Sequence, residues 1–231
     1  MLATVKRALI VDDEPATCEL IERALNSVGI HSLSVTASED APEILRRARF
    51  AVAFLDHHMK FPDGPALARQ MRSSGSNRLT PIVLISDDER PSAVSEGFDA
   101  GASFFLYKPI DKDRVLRLIR ASQSAIDNGM RRTRRVDLKA PIQISFAGQA
   151  IEGETLNVSL EGMLVRVPRL LPIGSSVEVQ FQAGKMSKPI AAFRSVVRLH
   201  GREEMGIHLA RLTVEDSQRL QDCLLPLIAI G

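Results

Sequence analysis

The 231-residue sequence predicts a doubly wound α/β domain with a five-stranded parallel sheet, followed by a small antiparallel β-barrel with a C-terminal helix. Three observations lead there. In the first half, short apolar runs alternate with amphipathic stretches at helical spacing, the pattern of a parallel sheet covered on both faces. After Asn128-Gly129, a helix-stop pair, the period changes to two, as in Ile142-Gln143-Ile144-Ser145-Phe146 and Val177-Glu178-Val179-Gln180-Phe181. Turn signals separate these strands, which suits a small barrel.

Taken in order, residues 8–11 are wholly apolar and stop at three acidic residues, so they read as a strand. From Glu19 to Val28, Leu20, Ile21, Ala24, Leu25 and Val28 recur at helical spacing. Residues 31–37 are strand-like, and 41–48 form a short helix after Ser38-Glu39-Asp40. Residues 51–55 and 81–85 are continuous apolar runs, as expected of strands buried on both faces. Between them, residues 64–73 put Leu67, Ala68 and Met71 on one helical face. Residues 91–100 read as a less regular segment, 103–107 as the fifth strand, and 112 to about 125 as a helix carrying Val115, Leu116, Leu118 and Ile119. In the second half, Ala147-Gly148 and Glu152-Gly153 read as turns, and Val214 to about Leu225 as a closing helix. The division expected is a first domain over 1–125, a linker over 126–130 and a second domain over 131–231.

Composition narrows the class. A hydrophobic share of 45% and a charged share of 25% are ordinary for a soluble globular protein. With no Trp and one Tyr, the cores must be aliphatic with Phe as their aromatic. Cys18 and Cys223 stand alone in apolar helical patterns, which favours buried free thiols and a reducing cytoplasm over a disulfide. The N-terminal apolar run is too short for a signal peptide core, and the tail 224–230 is far below the ~20 residues of a spanning helix. A cytoplasmic protein without membrane insertion is expected. The net charge is only +2, yet four arginines fall within residues 131–135. Such a local cluster suggests a discrete anion site rather than a nucleic-acid surface.

The first half carries chemistry at its strand ends. Asp12 and Asp13 follow the first strand, Asp56 ends the third, Ser86 the fourth, and Lys108-Pro109 the fifth. Ligands of such sheets bind beyond the carboxyl ends of the strands, so these side chains converge on one edge. Each alone has an ordinary structural explanation, such as a helix N-cap or a turn. On these residues together, the stretch over about 5–125 resembles the response-regulator receiver family.

That resemblance implies that Asp56 takes a phosphoryl group from a histidine kinase or a phosphotransfer protein. It implies that Asp12, Asp13, Asp56 and the backbone carbonyl of His58 hold Mg2+ in a hard oxygen shell. Lys108 would neutralise one phosphoryl oxygen and Ser86 would donate a hydrogen bond to another, while Phe105, three residues before Lys108, would be the aromatic switch. Two departures stand out: Asp87-Asp88 follow Ser86, where the family commonly has a small residue, and Lys60 follows Met59, where Pro is usual. His57 and His58 are adjacent on an expected extended loop; neighbours there point opposite ways, so a shared metal ion is not expected.

The second half carries a different pair of motifs. Arg131-Arg132-Thr133-Arg134-Arg135 contains Arg-x-x-x-Arg, and Asn157-Val158-Ser159-Leu160-Glu161-Gly162 contains Asn-x-Ser-x-x-Gly. In this order and separation they resemble the ligand signature of PilZ domains over about 129–228, which implies binding of cyclic di-GMP. Arginine suits that ligand, because its planar fork bonds bidentately to phosphate or to guanine O6 and N7. The resemblance assigns the ligand to Arg131, Arg135, Asn157, Ser159 and Gly162, with Gly162 allowing backbone approach or a positive φ. The leading expectation is a non-enzymatic signalling adaptor acting on an unknown effector protein. A nucleotide-independent scaffold is the alternative; a nucleic-acid-binding regulator is disfavoured, since no helix-turn-helix pattern follows residue 130.

Overall fold

In the computed structural model, the chain divides into two units, one of residues 1–88 and 96–132 and the other of residues 89–95 and 133–231. The structure describes residues 7–73, 75–88, 90–128, 135–160, 162–182, 188–200, 203–209 and 212–230.

The apolar runs of the first half become β1 (Arg7–Val11), β2 (His31–Val35), β3 (Val52–Asp56), β4 (Ile82–Ser86) and β5 (Phe104–Tyr107). They pair in parallel in the order β2-β1-β3-β4-β5. Every residue of β3 and β4 is buried, which is why both read as unbroken hydrophobic segments. The helices are α1 (Pro15–Asn26), α2 (Ala41–Arg47), α3 (Gly64–Ser73), α4 (Pro91–Ala100) and α5 (Lys112–Asn128). Helix α1 packs on α5, and α2 on α3. Right-handed crossovers produce that split, because the strand order reverses between β1 and β3. The reversal opens a crevice at the carboxyl ends of β1 and β3, where Asp12 and Asp56 stand.

Two expectations are corrected in this unit. Helix α1 starts at Pro15, four residues before the expected start at Glu19. Proline is suited to the first helical turn, since its missing N–H would have no helical partner there. Residues 91–100 are a regular helix, α4, rather than a less regular segment. Gly97 obscured its pattern, and packing requires it: a Cβ there would meet the Phe105 ring at 2.2 Å and Leu84 Cδ1 at 2.7 Å.

The second unit contains β6 (Val136–Asp137), β7 (Pro141–Phe146), β8 (Gln149–Val158), β9 (Gly162–Arg166), β10 (Ser176–Phe181), β11 (Ile190–His200), β12 (Glu204–His208) and α6 (Val214–Ile230). The order is β6-β8-β7-β10-β11-β12-β9, and a further β8–β9 pairing closes six of these strands into a ring. Alternation is plain in β7 and β10, whose Ile142, Ile144, Val177, Val179 and Phe181 face the core. Helix α6 packs against β11 and β6. Thr213 precedes it and its Oγ1 accepts from the Asp216 N–H at 3.0 Å; the helix continues past Pro226 to Ile230, beyond the expected end near Leu225.

The turn at Ala147-Gly148 is present, with both residues at positive φ, as a tight hairpin between right-twisted strands requires. Glu152-Gly153 is not a turn. The pair lies inside β8, opposite Gln143 and Ile142 of β7. Its glycine answers to crowding instead, because a Cβ at Gly153 would lie 2.5 Å from the Arg166 carbonyl oxygen.

Candidate functional site

The sheet geometry brings the predicted strand-end residues of the first unit together. Asp12 is fully buried and Asp56 nearly so, while Asp13 is exposed at the rim. Asp12, Asp13 and Asp56 each offer a carboxylate oxygen, all within 4.8 Å of one another. Lys108 reaches over them from the end of β5: its Nζ is 3.5 Å from Asp56 Oδ1 and 3.7 Å from Asp12 Oδ2. Gly64 of α3 sits against the Asp56 backbone, and a Cβ there would meet the Asp56 carbonyl oxygen at 2.4 Å. The phosphoacceptor candidate is thus held by strand pairing and by a helix start.

Charge in this pocket is frustrated. Burial, then the neighbouring Asp12 charge, push the Asp56 carboxyl from 3.8 up to about 6, with Lys108 opposing. Asp12 is also raised, chiefly by burial. Burial disfavours the charged form of Lys108, but Asp56 and Asp12 outweigh it and the ammonium is raised. Asp12 Oδ1 accepts from the Glu14 N–H at 2.9 Å, whereas its buried Oδ2 accepts no hydrogen bond among the described residues. A buried carboxylate oxygen without a donor, beside two more carboxylates, suits a hard cation such as Mg2+.

Ser86 is buried and already engaged. Its Oγ lies 3.3 Å from His57 Nδ1 and accepts from the Asp88 N–H at 3.0 Å. Phe105 is turned inward at 1% exposure, with its ring 5.0 Å from that of Phe98 and 5.9 Å from that of Tyr107. Of the two acids after Ser86, Asp87 is exposed, and Asp88 directs Oδ2 to His58 Nε2 at 3.4 Å.

Glu14 was not picked out in the sequence, and the two histidines after Asp56 lie otherwise than their spacing suggests. Glu14 Oε2 lies 3.4 Å from Lys108 Nζ and competes with Asp56 for the ammonium. It belongs to the acidic triplet after β1, so the signal was present. His57 and His58 are not splayed apart: His57 Nδ1 and His58 Nε2 are 3.2 Å apart, with the rings in T-shaped contact. The turn after β3 overrides the alternation of an extended segment.

In the second unit, Arg131 lies outside the described residues. Arg135 is exposed just before β6 and donates from Nη1 to Asn157 Oδ1 at 2.7 Å. Register explains this contact, since Asp137 of β6 is opposite Asn157 of β8. Ser159 is buried; its backbone N–H and its hydroxyl both donate to the Gly162 carbonyl, at 2.8 and 3.0 Å. Gly162 opens β9 without a positive φ. Its role is close approach, because a Cβ would lie 2.4 Å from the Ile207 carbonyl oxygen. Arg135, Asn157, Ser159 and Gly162 thus share one end of β8 and β9, and the exposed Arg135 guanidinium there, with N–H donors beyond the one given to Asn157, can take an anion.

A parallel sheet with a carboxylate–lysine edge, followed by a closed antiparallel barrel with an arginine at its mouth, defines a signalling protein of two modules. Residues 8–120 match the family model of the response regulator receiver domain and residues 130–225 that of the PilZ domain, so this chain joins a receiver domain to a PilZ domain. Among similar proteins, Response regulator MprA of Mycobacterium leprae is 31% identical over 153 residues, 66% of this chain and 63% of that protein. Response regulator protein PilR of Pseudomonas aeruginosa is 32% identical over 114 residues, 49% of this chain and 25% of that protein. This chain therefore spans less than two thirds of the length of either relative. A solved receiver domain of a signal transduction histidine kinase from Syntrophus aciditrophicus is 24% identical, covers 53% of this chain and 93% of its own, and superposes with a TM-score of 0.50. No described helix is long and apolar enough to cross a membrane.

Proposed function

We propose that this protein is a cytoplasmic two-component response regulator with two inputs, acting as a non-enzymatic adaptor on an effector protein. A receiver domain over 1–125 accepts a phosphoryl group on Asp56 from a histidine kinase or phosphotransfer protein, and a linker over 126–130 leads to a cyclic di-GMP-binding domain over 131–231. The observation that carries the first input is Lys108 Nζ lying 3.5 Å from a buried Asp56 carboxylate. An Asp56 oxygen bonds to phosphorus as the phosphorus–nitrogen bond to the donor imidazole breaks. Lys108 turns to an equatorial phosphoryl oxygen, and Ser86 leaves His57 to donate its hydroxyl proton to another. Phe105, packed beneath, reports the shift of Ser86. Asp12, Asp13, Asp56 and the His58 carbonyl would hold Mg2+, the double charge offsetting repulsion between the carboxylates and the incoming group.

For the second input, Arg131 and Arg135 clamp phosphate or guanine, Asn157 and Ser159 offer polar contacts, and Gly162 keeps the strand backbones close. The Arg135–Asn157 hydrogen bond supports this reading, since it holds one arm of the clamp at the barrel mouth. The second reading is a nucleotide-independent interaction scaffold, favoured by the Ser159 hydroxyl being turned onto Gly162.

Acetyl phosphate with Mg2+ is expected to add one phosphoryl group to the wild type and none to Asp56→Asn, read by intact mass. Calorimetry with cyclic di-GMP is expected to show binding that Arg131→Ala or Arg135→Ala weakens by about 10- to 100-fold, the worth of a charged hydrogen bond. A wild type that binds no cyclic di-GMP selects the scaffold.

A further inference from the structure

We infer that His57, His58 and Asp88 form a second cation site, distinct from the carboxylate cluster and specific for a first-row transition metal of the zinc class. The donor geometry is already assembled. His57 Nδ1 and His58 Nε2 are 3.2 Å apart, His58 Nε2 and Asp88 Oδ2 are 3.4 Å apart, and one donor from each residue lies within 4.8 Å of the others. Zinc bonds of about 2.0–2.2 Å in a tetrahedron require donor–donor edges of about 3.3–3.6 Å, close to the two measured here. Water would complete the shell.

The donor types separate the two cations. Two imidazole nitrogens and one carboxylate suit zinc, nickel or copper, while Mg2+ prefers all-oxygen shells such as that of Asp12, Asp13 and Asp56. The two sites use different donor atoms and can both be filled, with His58 giving its backbone carbonyl to one and its imidazole to the other.

The residues are also held in place. His57 is 5% exposed, and the same Nδ1 lies 3.3 Å from Ser86 Oγ. Asp88 is tied through its N–H to Ser86 Oγ at 3.0 Å. His58 leaves its side chain half exposed, giving an ion a way in. An imidazole nitrogen has one lone pair, so an ion on His57 Nδ1 ends the Ser86 contact and leaves that hydroxyl to other partners. Transition-metal occupancy would in this way bear on the residue at the end of β4 that the phosphoryl chemistry uses. The rival to a metal site is a plain hydrogen-bond relay in which the one His58 Nε2–H is shared between Asp88 Oδ2 and His57 Nδ1.

The test titrates the full chain with Zn2+ by calorimetry, and with Co2+ by visible absorption, in saturating Mg2+. One equivalent of each is expected to bind, with Co2+ giving the d–d bands of a low-coordinate nitrogen–oxygen site. His58→Ala removes an exposed imidazole and keeps the backbone carbonyl, so the fold should survive, as circular dichroism checks. It is expected to weaken Zn2+ by more than about tenfold, as is Asp88→Asn, while Asp13→Asn, which alters the Mg2+ cluster, leaves the Zn2+ affinity at its wild-type value. No binding in saturating Mg2+ would leave only the relay and overturn the site. Binding that survives His58→Ala, or is lost in Asp13→Asn, places the ion elsewhere and overturns it equally. None of these outcomes depends on whether Asp56 is phosphorylated or the barrel binds a nucleotide.

Discussion

Asp56 carries the tension of the first unit in one side chain. Its carboxyl is raised from 3.8 to about 6, by burial first and then by the charge on Asp12. In metal-free protein, the folded state therefore keeps a proton that the unfolded chain has lost over the window from about pH 4 to about pH 6. Stability contributed by that proton is present below the window and is lost as pH rises through it. The loss is on the order of 3 kcal/mol for a shift of this size, and it levels off about one unit above the folded value, near pH 7. Urea titrations followed by circular dichroism should show it in the wild type, and Mg2+ should restore the lost stability. Asp56→Asn, which is neutral at every pH, should flatten this part of the profile. Parallel profiles for wild type and Asp56→Asn would show that Asp56 does not carry the effect.

At the scale of elements, β8 does the most varied work. Its first six residues pair with β7 and its last two with β6, while Glu154, Thr155, Asn157 and Val158 pair with β9. A register shift between Thr155 and Asn157 accompanies this change of neighbours. Gly153 stands just before it, against the Arg166 carbonyl oxygen at 2.5 Å and Val167 Cγ1 at 2.8 Å. Gly153→Ala is expected to force the strands apart and to lower the stability of the barrel by about 1–3 kcal/mol. Thermal unfolding should show that transition falling by several degrees, while phosphorylation of Asp56 by acetyl phosphate is unchanged. An unaltered barrel transition would mean that β8 and β9 can spread there without cost.

Over the whole molecule, the arginine segment 131–135 lies in the chain between the receiver sheet and the barrel. Its place in the sequence motivates a test of whether the two proposed inputs are coupled. Beryllofluoride, a phosphoryl mimic, is expected to change cyclic di-GMP affinity by about 5-fold or more. Linkage then requires cyclic di-GMP to change beryllofluoride affinity by the same factor. Equal dissociation constants with and without beryllofluoride, at demonstrated occupancy, would leave two independent modules sharing one chain.

Periodicity alone determined the two fold classes, the five parallel strands and the alternation of β7 and β10, because which face is buried is written into residue spacing. Strand-end positions likewise made Asp12, Asp13, Asp56, Ser86 and Lys108 legible, since a parallel sheet places the carboxyl ends of its strands along one edge. What spacing could not carry was anything set by a neighbour distant in sequence. Gly97 and Gly153 resemble breaks until Phe105 and Arg166 are seen beside them. Glu14 reads as one more acid until Lys108, 94 residues on, is found at 3.4 Å. The rule of alternating side chains sent His57 and His58 apart, and only the folded turn after β3, with Asp88 arriving from β4, brought their nitrogens together. Local pattern decides which face a residue takes; tertiary packing decides which atoms it meets there.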